Sequence, residues 1–545
     1  MKKLLSMVLT LVLLCSLLSG CGKSETASAA VPAADAPYPI AQLTIGTTMA
    51  IEKAIREEYN YDVLASSTTE LPLVAQDVNG HYQPLLCDFA TEDSITWTFT
   101  VLEGMKWDDG EPLTAEDILF TLQYDDAAGT ANFNDKTDAE GNVSPAKYSG
   151  YAISEDGKSI SLTLSEPNVR EPGNMVYFRV MPKHVYEGKD SVTEAEARTG
   201  CGPYKFESFN KEAGTVSFVA NEYYPETPHV GRIVFRLFGS EDTMYMALRS
   251  GDVDMVWNYS TGVSANYAGV LGESVSLMSV SAANVPAVLG FNNARGFFAD
   301  ENLRHAVSCA LDYQQFKTLF GSEYAATPTR GFAPATTLGY MDSSELKQDL
   351  AAAEDYMKAA GYTKNAKGFF EKDGTEAGFA LSCNADKETH AGCAELIKTQ
   401  LESFGIHVEL DSLDKDSYNA KTSNKFSGNN VTMEAAIYGF TAAGMGMGSG
   451  LGTIYVDGSH AVQGGCQVFD EDFVAGKKQL DEADSIEEYY AAAAEVQTYY
   501  AEHCPLLALY WDNLLYAYSS KLDGLTADAL FGLNNARNWL NVTRK

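Results

Sequence analysis

The hydrophobic and polar positions of this chain switch repeatedly between a two-residue and a helical period. Residues 233–238 form a short apolar run of the strand type, and 242–249 follow with helical spacing. Ser240 stands as the N-cap of that helix and Gly251 lies just past its end. Residues 253–257 are strand-like again, which makes one βαβ unit. Farther on, 379–383 predicts a strand and 389–404 an amphipathic helix ended by Gly405. Its inner face carries Cys393, Leu396, Ile397, Gln400, Leu401 and Phe404. Residues 406–410 alternate strictly, as a half-buried strand does, and 434–438 reads as another strand. Between these two α/β regions, Leu303, Ala306, Val307, Ala310 and Leu311 mark one buried helical face, with His305 beside it as a surface or packing residue. A further helix over 349–360 is capped by Asp349 and stopped by Gly361. The stretch 97–122 differs in character: a strand, a tight Asp108-Asp109-Gly110 turn, then a helix opened by Thr114 with Asp117 three residues on.

The first residues follow neither period. Lys2 and Lys3 precede an almost unbroken apolar run over 4–18, shorter than the ~18–20 residues that span a bilayer. Leu18-Ser19-Gly20-Cys21-Gly22 resembles the bacterial lipobox, in which the cysteine is lipidated and becomes the mature N-terminus. The expectation is a signal peptide over 1–21 with lipidated Cys21, then a flexible tether over 22–40 rich in Ser, Ala, Thr and Pro. An ordinary cleavable signal is the alternative. Both place the body outside the cytoplasm; the lipid anchor would hold it on the outer face of the cell membrane, in the periplasm if the cell has two membranes.

Charge narrows the field further. Among 545 residues, 74 acids against 39 bases leave a formal net charge of −35, which repels phosphate backbones and disfavours nucleic acid as a partner. The 30 Tyr and 25 Phe suit clefts that enclose small ligands. Seven cysteines remain in the body, at 87, 201, 309, 383, 393, 466 and 504, without a Cys-x-x-Cys among them, and they read as structural thiols.

Motifs for chemistry fail on inspection. Gly22-Lys23-Ser24 mimics the end of a P-loop, but Leu17 stands where a glycine is required. The glycine-dense run from Gly444 to Gly452 has neither dinucleotide-binding spacing nor, with Met447 in the first glycine position, a nucleophile elbow. No His-Glu-x-x-His occurs, so neither a metal nor another cofactor is expected. A hydrolase using two cleft carboxylates stays open as the enzymatic alternative; the leading expectation is a protein without catalysis.

Four blocks in order resemble the family 5 extracellular solute-binding proteins, the receptors of peptide-type ABC importers. They are Trp97-Thr98-Phe99 through Trp107-Asp108-Asp109-Gly110 to Asp117-Ile118; Gly200-Cys201-Gly202-Pro203-Tyr204; Ala247-Leu248-Arg249-Ser250-Gly251-Asp252-Val253-Asp254; and Gly290-Phe291-Asn292-Asn293 leading into Leu303-Arg304-His305-Ala306. The resemblance implies an α/β, two-lobe periplasmic-binding-protein-like fold with a ligand cleft between the lobes. Lobe I comprises 41–75, 200–289 and the return segment 505–545, with an extra subdomain over 76–199; lobe II is 290–504. It also implies a monomer that captures peptides or a related small solute and hands them to membrane permease subunits driven by a cytoplasmic ATPase.

Ligands of doubly wound sheets sit beyond the carboxyl ends of strands. That rule selects Thr47 and Thr48 after the first strand, Asn258 and Tyr259 following Trp257, Asn384 after Cys383, and Gly439 and Phe440 following Tyr438. Trp257 and Tyr438 themselves, Asn292 of the fourth block and Trp511 in Leu509-Tyr510-Trp511-Asp512 complete the candidate ligand-binding residues. Peptide receptors of the family hold the ligand's α-ammonium with an aspartate shortly after the aromatic strand end; here Ala443 stands in that place. Either another acid such as Asp457 reaches the cleft, or the ligand is not a free-amine peptide. A metal chelate or a sugar, and a peptide-signal sensor of the same fold, are the alternatives, with His390, His407 and His460 the nearest histidines in sequence.

Overall fold

The computed structural model describes residues 38–545 apart from 57, 138–142, 260–261, 264, 335–336 and 442–451. Cys21, the signal, most of the tether and Ala443 lie outside the described residues. Ten strands make the main sheet: β1 (Leu43–Thr47), β2 (Tyr204–Asn210), β3 (Thr215–Ala220), β4 (Arg232–Leu237), β5 (Met255–Val256), β6 (Val275–Phe291), β7 (Gly378–Asn384), β8 (His407–Leu413), β9 (Ala435–Thr441) and β10 (Leu506–Ser519). Their order across the sheet is β2-β3-β4-β1-β5-β10-β6-β9-β7-β8.

Two long strands, β6 and β10, pair antiparallel from Val275 opposite Ser519 to Gly290 opposite Leu506 and run through both halves of this sheet. At the lobe II end their side chains alternate between two cores. Ala287, Leu289, Leu507 and Leu509 face one with the helices Glu301–Ala310 and Glu388–Phe404; Val288, Leu506 and Ala508 face the other with Glu471–Glu482 and Ile486–His503. A sheet covered on both faces needs apolar residues at consecutive positions, which these strands supply. At the lobe I end, Val280, Leu514 and Tyr516 join a different core, built on Leu43, Ile45, Trp257 and Trp539. The lobe cores thus part between Val280 and Val285 and between Trp511 and Leu514. The expected boundaries at 290 and 505 fall at the lobe II ends of the strands, because the pairing crosses between lobes without a chain break.

Pairing is irregular at that crossover, with register shifts between Val280 and Val288. Pro286 sits within the shifted stretch, and a proline has no N–H to give a ladder. The sequence therefore places a discontinuity in the middle of an otherwise continuous strand pair.

Local signals account for most of the helices. The Ser240 hydroxyl accepts the Thr243 N–H at 3.4 Å, and the helix Glu241–Ser250 ends at Gly251 with φ 82°. Asp349 accepts the Ala352 N–H at 3.0 Å to open Leu350–Ala359. The helix Glu301–Ala310 departs from expectation: every residue from Leu303 to Ala310 is buried, because Leu350–Ala359 and Ile486–His503 also pack on it. His305 is a packing residue, stacked on Tyr356 at 5.0 Å and donating through Nε2 to the Glu502 carbonyl at 2.7 Å.

The 76–199 segment builds a four-stranded sheet from Cys87–Thr91, Thr96–Val101, Ser159–Leu164 and Tyr148–Ile153, backed by the helix Ala115–Ala128. Thr114 and Asp117 form the capping box of that helix, the Thr114 N–H donating to Asp117 at 2.9 Å. All seven body cysteines are free and buried.

The Gly200-Cys201-Gly202 block has a steric cause. A Cβ on Gly202 would lie 2.1 Å from the Thr68 carbonyl oxygen, and one on Gly200 2.2 Å from that of Thr69. The Gly202 N–H also donates to Thr69 O at 2.9 Å, so this backbone cannot retreat without losing a hydrogen bond. Gly202→Ala is expected to destabilise the protein by about 2 kcal/mol or more, read as a lower urea midpoint; an unchanged midpoint would contradict the close approach.

Candidate functional site

Register decides which strand ends meet. In lobe I, β1 runs parallel to β4 and β5, and Met255 of β5 lies opposite Tyr518 of β10. In lobe II, β7, β8 and β9 are mutually parallel, and Thr441 at the end of β9 lies opposite Asn284 of β6. The carboxyl ends of both sets therefore converge on the irregular stretch of β6 and β10, where a two-lobe α/β protein places its cleft.

On the lobe I side, Thr47, Thr48 and Asn258 form one cluster. The Asn258 amide oxygen accepts the Thr47 hydroxyl at 2.9 Å, the Thr48 N–H at 2.9 Å and the Thr48 hydroxyl at 3.2 Å. Tyr259 follows, with its ring edge-on to Tyr59 at 6.4 Å, 5.9 Å from Phe531, and its hydroxyl sharing a hydrogen bond with Tyr177. Tyr59 and Tyr177 are 67% and 52% exposed, so together with Tyr259 they leave aromatic surface open to solvent at the lobe edge. Sequence reasoning missed Tyr59, Tyr177 and Phe531. They come from three distant segments, and no spacing rule links them to Tyr259.

On the lobe II side, the Asn384 amide oxygen accepts the Asp386 N–H at 2.9 Å and shapes the turn into the helix Glu388–Phe404. Gly439 is a glycine because a Cβ there would meet the Pro286 carbonyl oxygen at 2.4 Å and His390 Nε2 at 3.1 Å. His390 bonds that same Pro286 carbonyl, and its Nδ1 is buried without a partner among the described residues. Burial, reinforced by Lys387, pushes His390 down to about 4, so it is neutral at ordinary pH. The backbone of Phe440 pairs with Val285 beside it.

Trp511 lies on β10 at the crossover, 5% exposed, and its indole N–H is buried with no acceptor among the described residues. Its neighbour Asp512 accepts the Ser322 N–H at 2.9 Å, tying a lobe II loop to the same strand.

Three expected site residues belong to the framework instead. Asn292 lies past the far end of β6, on the side of lobe II away from the cleft, because β6 runs antiparallel to β9. It is fully buried, donating to Met433 O at 3.0 Å and accepting the Ala294 N–H at 3.1 Å. Trp257 donates to Phe531 O at 2.6 Å from inside the lobe I core. The Tyr438 hydroxyl donates to Thr422 O at 3.2 Å, and its ring packs on Tyr455 at 4.7 Å. Asp457 is buried, accepting from Ser459 and paired with Lys477 at 3.4 Å. His407 pairs with Glu376 at 2.9 Å at the amino end of β8, and His460 accepts N–H groups of its own loop, so the three histidines are not brought together.

The groups at the strand ends are amides, hydroxyls, aromatic faces and one neutral imidazole, a set suited to holding a solute by hydrogen bonding and stacking. The profile of the bacterial extracellular solute-binding proteins, family 5, matches residues 72–446. The chain belongs to that family. This solute-binding protein is 23% identical over 374 residues to the nickel-binding periplasmic protein of Escherichia coli K12, covering 66% of this chain and 68% of the relative. It is 26% identical over 359 residues to an oligopeptide-binding protein, OppA, of Lactococcus lactis, covering 58% of each chain. The chain thus spans about three-fifths of that relative's length. Among solved structures, the substrate-binding protein CtaP of Listeria monocytogenes superposes with a TM-score of 0.73 at 18% identity, over 93% of this chain and 99% of the other. The oligopeptide-binding protein AppA of Bacillus subtilis, in complex with a nonapeptide, gives 0.63 at 15% identity, over 94% and 100%. The two-lobe α/β fold expected from the sequence is the observed one.

His390 yields a prediction with a definite sign. The fold keeps it neutral down to about pH 4, whereas an unfolded histidine protonates near 6.5. Its contribution to stability is complete above pH 6.5 and lost as pH falls toward 4, by on the order of 3 kcal/mol. The stability difference between wild type and His390→Gln should shift against wild type by that order between pH 7 and 4, measured by urea unfolding; a pH-independent difference would contradict the assignment.

Proposed function

We propose that this solute-binding protein is the receptor of an ABC importer, held by lipidated Cys21 on the outer face of the cell membrane, and that it captures peptides by closing its two lobes. The observation that carries the reading is the convergence of both sets of strand carboxyl ends on the β6–β10 crossover. There, a ligand can touch both lobes at once. Only a ligand with higher affinity for the closed arrangement shifts the balance toward closure. A micromolar dissociation constant corresponds to roughly −8 kcal/mol, within reach of a few hydrogen bonds to Asn258, Thr48 and Trp511 together with burial against Tyr59, Tyr177 and Tyr259. The solute leaves unchanged, and its onward partners are the permease subunits.

Peptide stands first because relatives from Lactococcus and Bacillus carry oligopeptide-binding names. With Ala443 in place of the expected aspartate, the amino terminus of such a peptide is held by some other group. A second reading, a metal chelate, is favoured by the Escherichia coli nickel-binding relative and by Nδ1 of His390, which has no partner among the described residues.

Native mass spectrometry of residues 22–545, purified from cells grown in rich medium, separates the two. A ladder of adducts at peptide masses, lost on denaturation, is expected. One adduct with the isotope pattern of a metal complex supports the second reading. A bare protein mass that stays bare after incubation with a peptide hydrolysate and with nickel–histidine contradicts both.

A further inference from the structure

Away from the crossover, the extra subdomain reaches across to lobe II. Arg170 Nη2 pairs with Asp481 Oδ1 at 3.1 Å, and the same guanidinium lies over the Tyr489 ring at 5.4 Å. The neighbouring Val169 donates its N–H to the Ala483 carbonyl at 3.4 Å, and its side chain packs on the lobe II core that holds Leu480, Ala483 and Tyr489. The Ser94 hydroxyl donates to the Asp484 carbonyl. All the lobe II partners lie at the junction of the helices Glu471–Glu482 and Ile486–His503.

The subdomain side of this contact is built in advance. Ser94 has φ 55°, in the left-handed region that a non-glycine residue enters only when its surroundings demand it. The demand is visible: Asp93 accepts the N–H groups of Ile95 at 3.0 Å and Thr96 at 2.7 Å, and the Ser94 N–H donates to Thr91 at 2.9 Å. The Asn168 N–H donates to the Ser94 carbonyl at 2.8 Å, and Trp97 Nε1 donates to the Asn168 carbonyl at 3.0 Å. Two loops are thereby fixed to each other and to a rigid sheet, and both face lobe II. A second touch lies at Gly80, where a Cβ would come within 3.0 Å of Leu338 in the lobe II core.

None of these residues lies at a carboxyl end of the main sheet's strands, so a solute in the cleft need not touch them. Yet they join the subdomain to lobe II, so any movement that separates the lobes there has to break them. Tyr489 is fully buried here, and separation would uncover it. The contact is also incomplete, since Arg170 Nε is buried with no partner among the described residues. An unsatisfied donor weakens an interface and favours one that opens again.

We propose that Ser94, Val169 and Arg170 form a latch with residues 481–489 that populates the closed state before any solute enters, and so sets how tightly the solute is held and how readily it is released. A binding-competent state populated at fraction f weakens the apparent affinity by 1/f, whatever the ligand. The latch therefore acts alike on peptide and metal-chelate ligands and stands apart from the question of which is bound.

Electron–electron double resonance on the full chain, stripped of solute in guanidinium and refolded, tests it directly. Nitroxides are attached at Glu155→Cys in the subdomain and Lys347→Cys in lobe II, both exposed positions. The solute-free wild type should show a substantial short-distance population. Arg170→Ala, and independently Asp481→Asn from the other lobe, should each lower the short-to-long ratio at least threefold with unchanged circular dichroism. The exchange Arg170→Asp with Asp481→Arg should restore much of it. A solute-free wild type that is wholly open, or distance distributions identical in all folded variants, overturns the latch.

Discussion

Two antiparallel strands, β6 and β10, carry both lobes, and the rest of the molecule is arranged around where their pairing slips. Outside the slipped stretch the two strands pair with each other, flanked by β9 along the lobe II half of β6 and by β5 at the lobe I end of β10, with apolar cores on both faces. Within it, Pro286 has no N–H to offer and the register shifts. A sheet continuous on both sides of a local irregularity can bend there and nowhere else at comparable cost. The crossover is thus at once the connection between the lobes and the natural place for them to move.

That constraint also determines the site. Because the strands of both lobes run toward the crossover, their carboxyl ends present backbone groups, short polar side chains and tyrosine rings to one shared space. Gly439 shows how closely the parts are fitted: its missing Cβ lets β9 lie against Pro286 and His390. The neutral imidazole there follows from burial and needs no counter-charge. Lobe I answers with Asn258, which spends its amide oxygen on Thr47 and Thr48 and so keeps the first strand's turn in place.

Much of the frame was legible from residue order because it rests on local causes. Ser240, Gly251, Asp349 and Gly405 act within one turn of their helices, and the 241–250 and 388–404 helices begin and end within a residue or two of where those signals stand. Strand-end reasoning selected Thr48, Asn258 and Tyr259, which the structure places together just past the carboxyl ends of β1 and β5. Asn292, taken from a sequence block, lies at the opposite strand end, since the block does not reveal that β6 runs antiparallel to β9, and the aromatics Trp257 and Tyr438 turn inward at their strand ends. Tyr59, Tyr177 and Phe531 were invisible for a different reason: each is brought to Tyr259 by tertiary packing between segments far apart in the chain.

The location of the site is the claim on which the account stands, and amide hydrogen exchange read by mass spectrometry tests it most directly. The stripped protein would be compared with and without a tryptic casein hydrolysate. Added protection should appear in peptides covering 47–49, 257–259, 384–390 and 510–513, while those around Asn292 and His407, at the opposite ends of the strands, stay unchanged. Protection confined to the outer surface of the helices Glu471–Glu482 and Ile486–His503, with the strand carboxyl ends unaffected, would place the ligand elsewhere and contradict the account.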